Sequence, residues 1–209
     1  TSAHLVQGIL ACLLRRATTG HGGWVEVSLL ESILDLQFEV ITTHLNDGGK
    51  VPERSSVHNG HAYVSAPYGI YPTSNGHIAI AMGSIPQLGQ ILGCPDLEEF
   101  SSPDTWFKDR DIIKSILRDH LSEDTTEHWL GLMEPKDIWC AEVMSWEQLR
   151  NSEAYKILRM EQEIVCPNGT KLPTLRCPIR IDGELFLSNK GAPAIGQHND
   201  IIAQEFNLA

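Results

Sequence analysis

Residues 13–37 read LLRRATTGHGGWVEVSLLESILDLQ, and the punctuation of this stretch decides the fold. It describes the end of one helix, a glycine turn, a short strand at Trp24–Ser28 and the start of a second helix. Ser28 with Glu31 three residues later is a capping box, which starts the second helix there. Leu29, Leu30, Ile33, Leu34, Leu36, Val40 and Ile41 then predict one continuous helix with a broad buried stripe. Upstream, Thr1 or Ser2 caps a first helix that buries Leu5, Val6, Ile9, Leu10, Leu13 and Leu14. Arg15 and Arg16 sit in its last turn, where cations complement the negative end of the helix dipole. Gly20, Gly22 and Gly23 let the backbone reverse. The result is two helices and a strand edge of an α/β layer.

Working outward, residues 1–49 form this unit and end at Asn46-Asp47-Gly48-Gly49, a strong stop. Residues 50–67 are polar and irregular, with Pro52, Asn59, Gly60 and Pro67, and read as a linker or functional loop. Residues 68–82 predict a hairpin in which Asn75-Gly76 supplies a type I′ turn and Ile78 and Ile80 share a face. Ser84 caps a short helix to Leu92 that Gly93 closes. A further helix over 109–121 carries Ile112, Ile113, Ile116, Leu117 and Leu121 on one face. Thr125 or Thr126 opens another around Trp129, Leu130 and Met133. Residues 68–150 thus read as a small α+β domain, left by a helix over 146–155. Residues 151–209 return to strand character at 163–166 and 172–178, where Pro173 and Pro178 demote the strands to edges. Asn199 caps a last helix with Ile201, Ile202 and Phe206 inward.

Composition narrows the function classes. The 209 residues are 42% hydrophobic and 21% charged, an ordinary globular balance. No apolar run approaches the ~20 residues needed to cross a bilayer. A net charge of −11 argues against a nucleic-acid partner. Cys12, Cys94, Cys140, Cys166 and Cys177 are odd in number and scattered, so they read as reduced, mostly buried thiols of an intracellular protein. The chain starts at Thr1 almost inside a helix, with one strand edge for its layer, which is the expectation for the C-terminal portion of a larger protein.

The opening stretch, LLRRATTGHGGWVEVSLLES, resembles the signature of the family III CoA-transferases (the CaiB/BaiF superfamily), roughly ALLxRxxTGxGQxVDVSLLD followed by a long apolar helix. Tyr68–Ala81, YGIYPTSNGHIAIA, is similar to that family's aromatic-x-T-x-DG-x-I-x-IA hairpin. Ala192–Ile202, APAIGQHNDII, is similar to its closing APxLGQHTxEIL. The matches fall in the family's order across nearly the whole chain. Gly23 stands where the family usually has Gln, and Asn75 where it usually has Asp. The resemblance implies an α/β fold in which a Rossmann-like large domain is interrupted by a small α+β domain and then resumed by a C-terminal return segment. It also implies two subunits threaded into an interlocked homodimer, in the cytoplasm or, in a eukaryote, the mitochondrial matrix or peroxisome.

It further implies transfer of CoA from an acyl-CoA to a free carboxylic acid. In the family an aspartate attacks the thioester, giving a bound anhydride and then an aspartyl-CoA thioester. That aspartate belongs a few residues before the first helix, upstream of Thr1, so no catalytic residue is assigned in this chain and the chain alone is expected to be inactive. Coenzyme A is substrate here, and no tightly bound cofactor is implied. His58, Asn59, Gly60 and His61 lie where formyl-CoA transferases carry the glycine-rich loop that closes over their intermediates, and are substrate-binding candidates; the alternative is a solvated polar loop. Two histidines with no third ligand at suitable spacing make no metal site. Arg15, Arg16 and Arg54 are candidates for CoA phosphates, although a helix end explains the first two equally well. His4 reads as a satisfied, partly buried histidine. Gly20-x-Gly22-Gly23 precedes a strand and opens no helix, so it fails as a dinucleotide loop. Two alternatives stand: an α-methylacyl-CoA racemase-like enzyme of the same superfamily, moving a proton beside the thioester carbonyl, and a truncated, non-catalytic product that binds CoA or a partner subunit.

Overall fold

The computed structural model describes residues 1–57 and 61–208, in two units, Thr1–Val143 and Met144–Ala209. Helix α1 (Ser2–Thr19) ends at Gly20, whose left-handed φ of 78° lets its N–H reach Arg16 O. The capping box forms as read: Ser28 Oγ accepts from Glu31 N at 3.1 Å, and the Glu31 carboxylate accepts from Ser28 N. Helix α2 (Leu29–Leu36) starts there, but the expected continuous helix is two. Gln37 turns out of helical geometry, its N–H shared between Ile33 O and Leu34 O, and the tightened last turn ends α2 before α3 (Phe38–Asn46) begins.

Two further expectations fail in this region. Trp24–Ser28 forms no strand and pairs with none among the described residues; a strand exists only with a ladder partner. The apolar stripes of α1 and α2 are not buried either: Leu14 is 72% and Leu36 81% exposed, with Leu5, Val6, Ile9, Leu10, Leu13, Leu29, Leu30, Ile33 and Leu34 also open. Periodicity identifies the face that seeks cover without supplying the cover. What joins α1 to its neighbours is close approach and polar contact. A Cβ at Gly8 would meet Val25 Cγ1 at 2.6 Å, and His4 bridges to α2.

The core lies between residues 62 and 133. Strands β1 (Gly69–Pro72), β2 (His77–Ile80) and β3 (Cys140–Glu142) form an antiparallel sheet in that order. Tyr71, Ile78 and Ile80 turn one face inward onto α4 (Ile85–Leu92), α5 (Pro95–Glu98), α6 (Arg110–Leu121) and α7 (Thr126–Met133). Ser84 caps α4 and Gly93 closes it at φ 68°. Gly89 lets α5 fold back onto α4, since a Cβ there would meet Cys94 O at 2.9 Å. Ile113, Leu117 and Leu121 are buried at i, i+4 and i+8 of α6, whereas Ile112 lies off that stripe and is exposed.

The hairpin turn is not the expected type I′. Pro72 pairs His77, leaving a four-residue loop in which neither Asn75 nor Gly76 has positive φ. Asn75 instead serves α7: its Oδ1 accepts from Thr126 N at 2.9 Å and its Nδ2 donates to Glu127 Oε2 at 2.9 Å.

In the second unit the expected helix over 146–155 is again divided, into α8 (Trp146–Asn151) and α9 (Glu153–Leu158). Ser152 makes the break by accepting from Tyr155 N as N-cap and donating to Leu149 O. Strands β4 (Glu161–Val165) and β5 (Lys171–Leu175) pair antiparallel with Pro173 opposite Glu163, an edge position as expected. Arg176 is 4% exposed and donates to Leu158 O, Arg159 O and Cys177 O, tying the end of α9 to β5. A small hairpin, β6 (Arg180–Ile181) with β7 (Glu184–Leu185), turns through Asp182-Gly183, both at positive φ. Helix α10 (Asn199–Phe206) has His198, not Asn199, at its N-cap position, and its Ile201, Ile202 and Phe206 are exposed, not inward. All five cysteines are free; Cys94 alone is buried, and Cys177 is exposed.

Candidate functional site

The outer face of the three-stranded sheet carries Ile70, Ala79 and Ala141 in direct register. Ala79 on the central strand and Ala141 on the edge strand are small, and Tyr68, Ile138 and Trp139 lie beside them. Together they shape an open groove of about 770 Å³ that His61 also lines. Such a volume with mostly apolar walls and few polar groups fits a small-molecule site. Trp139 is 65% exposed, an unusual cost in water for the largest side chain in the wall. Cys140, opposite Ile80, lies on the core side of the sheet, and burial pushes its thiol pKa up.

His61 is oriented by its neighbours. Its Nδ1 accepts the Tyr63 backbone N–H at 3.2 Å, so in the neutral ring the proton is on Nε2, which lies 4.0 Å from Glu39 Oε1. His61 thus borders the groove with its Nε2 nearest Glu39. Ser55 and Ser56 are fastened to α6, and Tyr63 to the end of α3. Ser55 Oγ donates to Asp111 Oδ1 at 2.6 Å, Ser56 N to the same oxygen at 3.0 Å, and Ser56 Oγ to Oδ2 at 2.7 Å. These bonds, the Ser55 hydroxyl first, hold the Asp111 carboxyl below its usual pKa. Tyr63 Oη reaches Asp47 Oδ2 at 3.3 Å, and Ala62 between them is buried.

His58, Asn59 and Gly60 lie outside the described residues. Arg15, Arg16 and Arg54 do not line the groove. Arg15 folds across the glycine turn and donates to Gly22 O; a Cβ at Gly23 would collide with its guanidinium. Glycine in place of the usual Gln therefore leaves room for that arginine. Arg16 closes α1, and Arg54 is exposed on the 50–57 segment.

His4 stands apart in a polar cleft with Glu26, Glu31, Ser32 and Asp35. Its Nδ1 meets Ser32 Oγ at 3.1 Å and its Nε2 meets Asp35 Oδ2 at 3.0 Å. The order serine–histidine–aspartate invites a hydrolase reading, but Ser32 is 7% exposed and inside a helix, where no substrate carbonyl can reach it. The arrangement pins α2 to α1 and satisfies His4 as read from the sequence. Among the described residues no three His, Cys, Asp or Glu side chains are grouped to hold a metal ion, and no helix is long and apolar enough to cross a membrane.

The groove's principal walls were not singled out from the sequence. The available signal was the pairing of small residues in β2 with aromatics just outside the strands, at Tyr68 and Trp139.

The sequence from Thr1 through the closing APAIGQHN matches the family model for CoA-transferase family III over residues 1–199. The chain belongs to this family. Solved structures agree on the fold. An aspartate-to-alanine variant of Rv3272 from Mycobacterium tuberculosis is similar at a TM-score of 0.72 and 21% identity, covering 94% of this chain and 51% of its own. A CaiB/BaiF family protein from Brucella suis is similar at a TM-score of 0.66 and 21% identity, covering 96% of this chain and 52% of its own. The chain thus spans about half the length of these neighbours. No curated protein matches it.

Proposed function

We propose that this chain is the C-terminal part of a CoA-transferase that moves CoA from an acyl-CoA to a free carboxylic acid. The observation that carries the proposal is the family III match over residues 1–199. The nucleophile is an aspartate that precedes Thr1 in the longer protein. Its carboxylate displaces CoA thiolate from the acyl-CoA, leaving a mixed anhydride. The thiolate then attacks the aspartyl carbonyl, releasing the first carboxylate and leaving an aspartyl-CoA thioester. The acceptor carboxylate repeats the two steps in reverse and departs as its own CoA ester. The start of α1 is suited to lie beside that aspartate: Thr1 makes no side-chain cap, so the first N–H groups remain for an anionic neighbour. The sheet groove takes the apolar part of the substrate, and His61 borders it. The open faces of α1–α3 fit burial against the rest of the large domain in an interlocked homodimer.

The test is turnover by the longer protein with an acyl-CoA and a small carboxylate, with mass spectrometry of the protein after quenching. Transfer with a CoA adduct on an aspartate just before Thr1 supports the reading, and the 209-residue chain alone is expected to give neither. Exchange of the α-proton of a 2-methylacyl-CoA for solvent deuterium, with no adduct, overturns it in favour of the racemase-like alternative.

A further inference from the structure

We propose that the sheet groove selects its substrate by size and charge: it takes a monocarboxylic acid with an uncharged apolar body, and Ala81, between Tyr68 and Trp139, sets what fits. The proposal rests on the transferase reading above and names the substrate class of that site. Ile70, Ala79 and Ala141 stand in register across β1, β2 and β3. Two residues beyond Ala79, Ala81 donates its N–H to Trp139 O at 2.8 Å, which carries the β2–β3 ladder one step further. On the other side Tyr68, just before β1, comes next to Ala81 in the register that pairs Gly69 with Ile80. Residues two apart on a strand share a face, so Tyr68, Ala81 and Trp139 make a second row beside the first.

At Ala79 and Ala81 the middle strand thus offers only methyl groups to the groove, with an aromatic residue on each side of Ala81. Neighbouring strands lie about 4.8 Å apart, so the backbones of Tyr68 and Trp139 are about 10 Å apart across the alanine. Atoms in contact sit about 3.5–4 Å apart, which leaves a slot for one hydrocarbon chain or one flat ring. Trp139, 65% exposed, gains cover from such a body. Charge points the same way. Among the described residues no Asp, Glu, Lys or Arg lines the groove. His61 lines it with Nε2 4.0 Å from Glu39 Oε1, and that carboxylate repels a second anion there. A second carboxylate on the substrate would therefore lose water with nothing to pair it, which disfavours dicarboxylic acids. An apolar body gains about fourfold in affinity for each methylene taken out of water. A one- or two-carbon acid collects little of that gain and leaves a groove of about 770 Å³ to water.

The test is acceptor selectivity of the longer protein with one acyl-CoA donor, offering acetate, hexanoate, 4-phenylbutyrate and succinate. Ala81→Phe and Trp139→Ala are run beside the parent. In the parent, hexanoate and 4-phenylbutyrate are expected to exceed acetate and succinate by about tenfold or more in kcat/KM. Ala81→Phe fills the slot and is expected to raise KM for the two larger acids about tenfold with kcat held. Trp139→Ala removes a mostly exposed ring and leaves the core intact; it is expected to raise the same KM values about threefold. A held kcat separates loss of fit from loss of fold. Acetate or succinate used as well as hexanoate overturns the proposal, and so do KM values for the larger acids that neither variant moves. No transfer to any acid overturns the transferase reading instead. Calorimetric titration of 4-phenylbutyrate into the parent and both variants then decides the groove by itself. Binding to the parent that weakens in both variants supports it; no binding to the parent, or equal binding to all three, overturns it.

Discussion

Two halves of the first unit treat the same kind of residue in opposite ways. Between Ala62 and Met133, apolar side chains converge: Tyr71, Ile78, Ile85, Leu97, Ile113, Leu117, Leu121 and Met133 are at or near zero exposure. In α1–α3, side chains of equal hydrophobicity and equally regular spacing stand open to solvent. The helices of both regions are amphipathic. What differs is whether the chain brings a second layer to the face. The β1–β2 hairpin and the short turns between α4 and α7 do so locally, within about 80 residues. The stripes of α1–α3 belong to a layer that these residues alone do not complete. Good helical pattern therefore measures the demand for a partner, and only topology meets it.

The contrast can be broken or sharpened by substitution, each effect read as a change in unfolding free energy from denaturant melts. Leu117→Ala, in the packed half, is expected to cost about 3 kcal/mol through lost burial and a residual cavity. Asn75→Ala is expected to cost about 2 kcal/mol, because the buried start of α7 loses the acceptor for Thr126 N. Lys114→Met is expected to stabilise by about 1 kcal/mol near neutral pH by removing a buried ammonium with no hydrogen-bond partner among the described residues. Burial holds the Lys114 pKa below 10.5 in the folded protein, so the penalty is complete at pH values under that folded pKa. It fades as pH rises towards 10.5, where the unfolded chain also loses the proton, and the gain from Lys114→Met must shrink over the same range. Leu14→Ala, on the open stripe, is expected to change stability by less than about 0.5 kcal/mol. A cost at Leu14 comparable to that at Leu117 would mean that the stripe is covered in solution, and the contrast would fall.

Local chemistry was legible in the sequence. The Ser28–Glu31 box, Ser84 with Gly93, Thr125 before Trp129, and Ile78 with Ile80 all depend on neighbours within a few residues, and all appear as read. Resemblance in three ordered stretches then placed the chain in its family. Non-local outcomes were not legible. Strand β3 is three residues long and exists because Glu142 and Cys140 meet Ile78 and Ile80 some sixty residues away. Trp24–Ser28 has strand composition but no ladder. The divisions at Gln37 and Ser152 turn on one hydrogen-bond choice each, and apolar periodicity runs straight through them. The Asp182-Gly183 hairpin is local too, since Asp-Gly is a type I′ signal and both residues have positive φ. At the site, His61 came from the sequence, whereas Tyr68 and Trp139 needed the register and the packing to bring them to it.

The Asn75–Glu127 contact has a consequence for how this hairpin can vary among relatives. The family usually carries Asp where this chain has Asn75. Here the side-chain amide donates to Glu127 Oε2 at 2.9 Å, and that bond, first among its causes, lowers the Glu127 pKa. An aspartate in the same rotamer would set two carboxylates against each other with no donor between them. Positions 75 and 127 therefore behave as one linked pair of letters. An aspartate at 75 calls for a donor such as Gln or Lys at 127, and a glutamate at 127 calls for an amide at 75. Asn75→Asp should weaken the fold, and Glu127→Gln introduced alongside it should recover most of the loss.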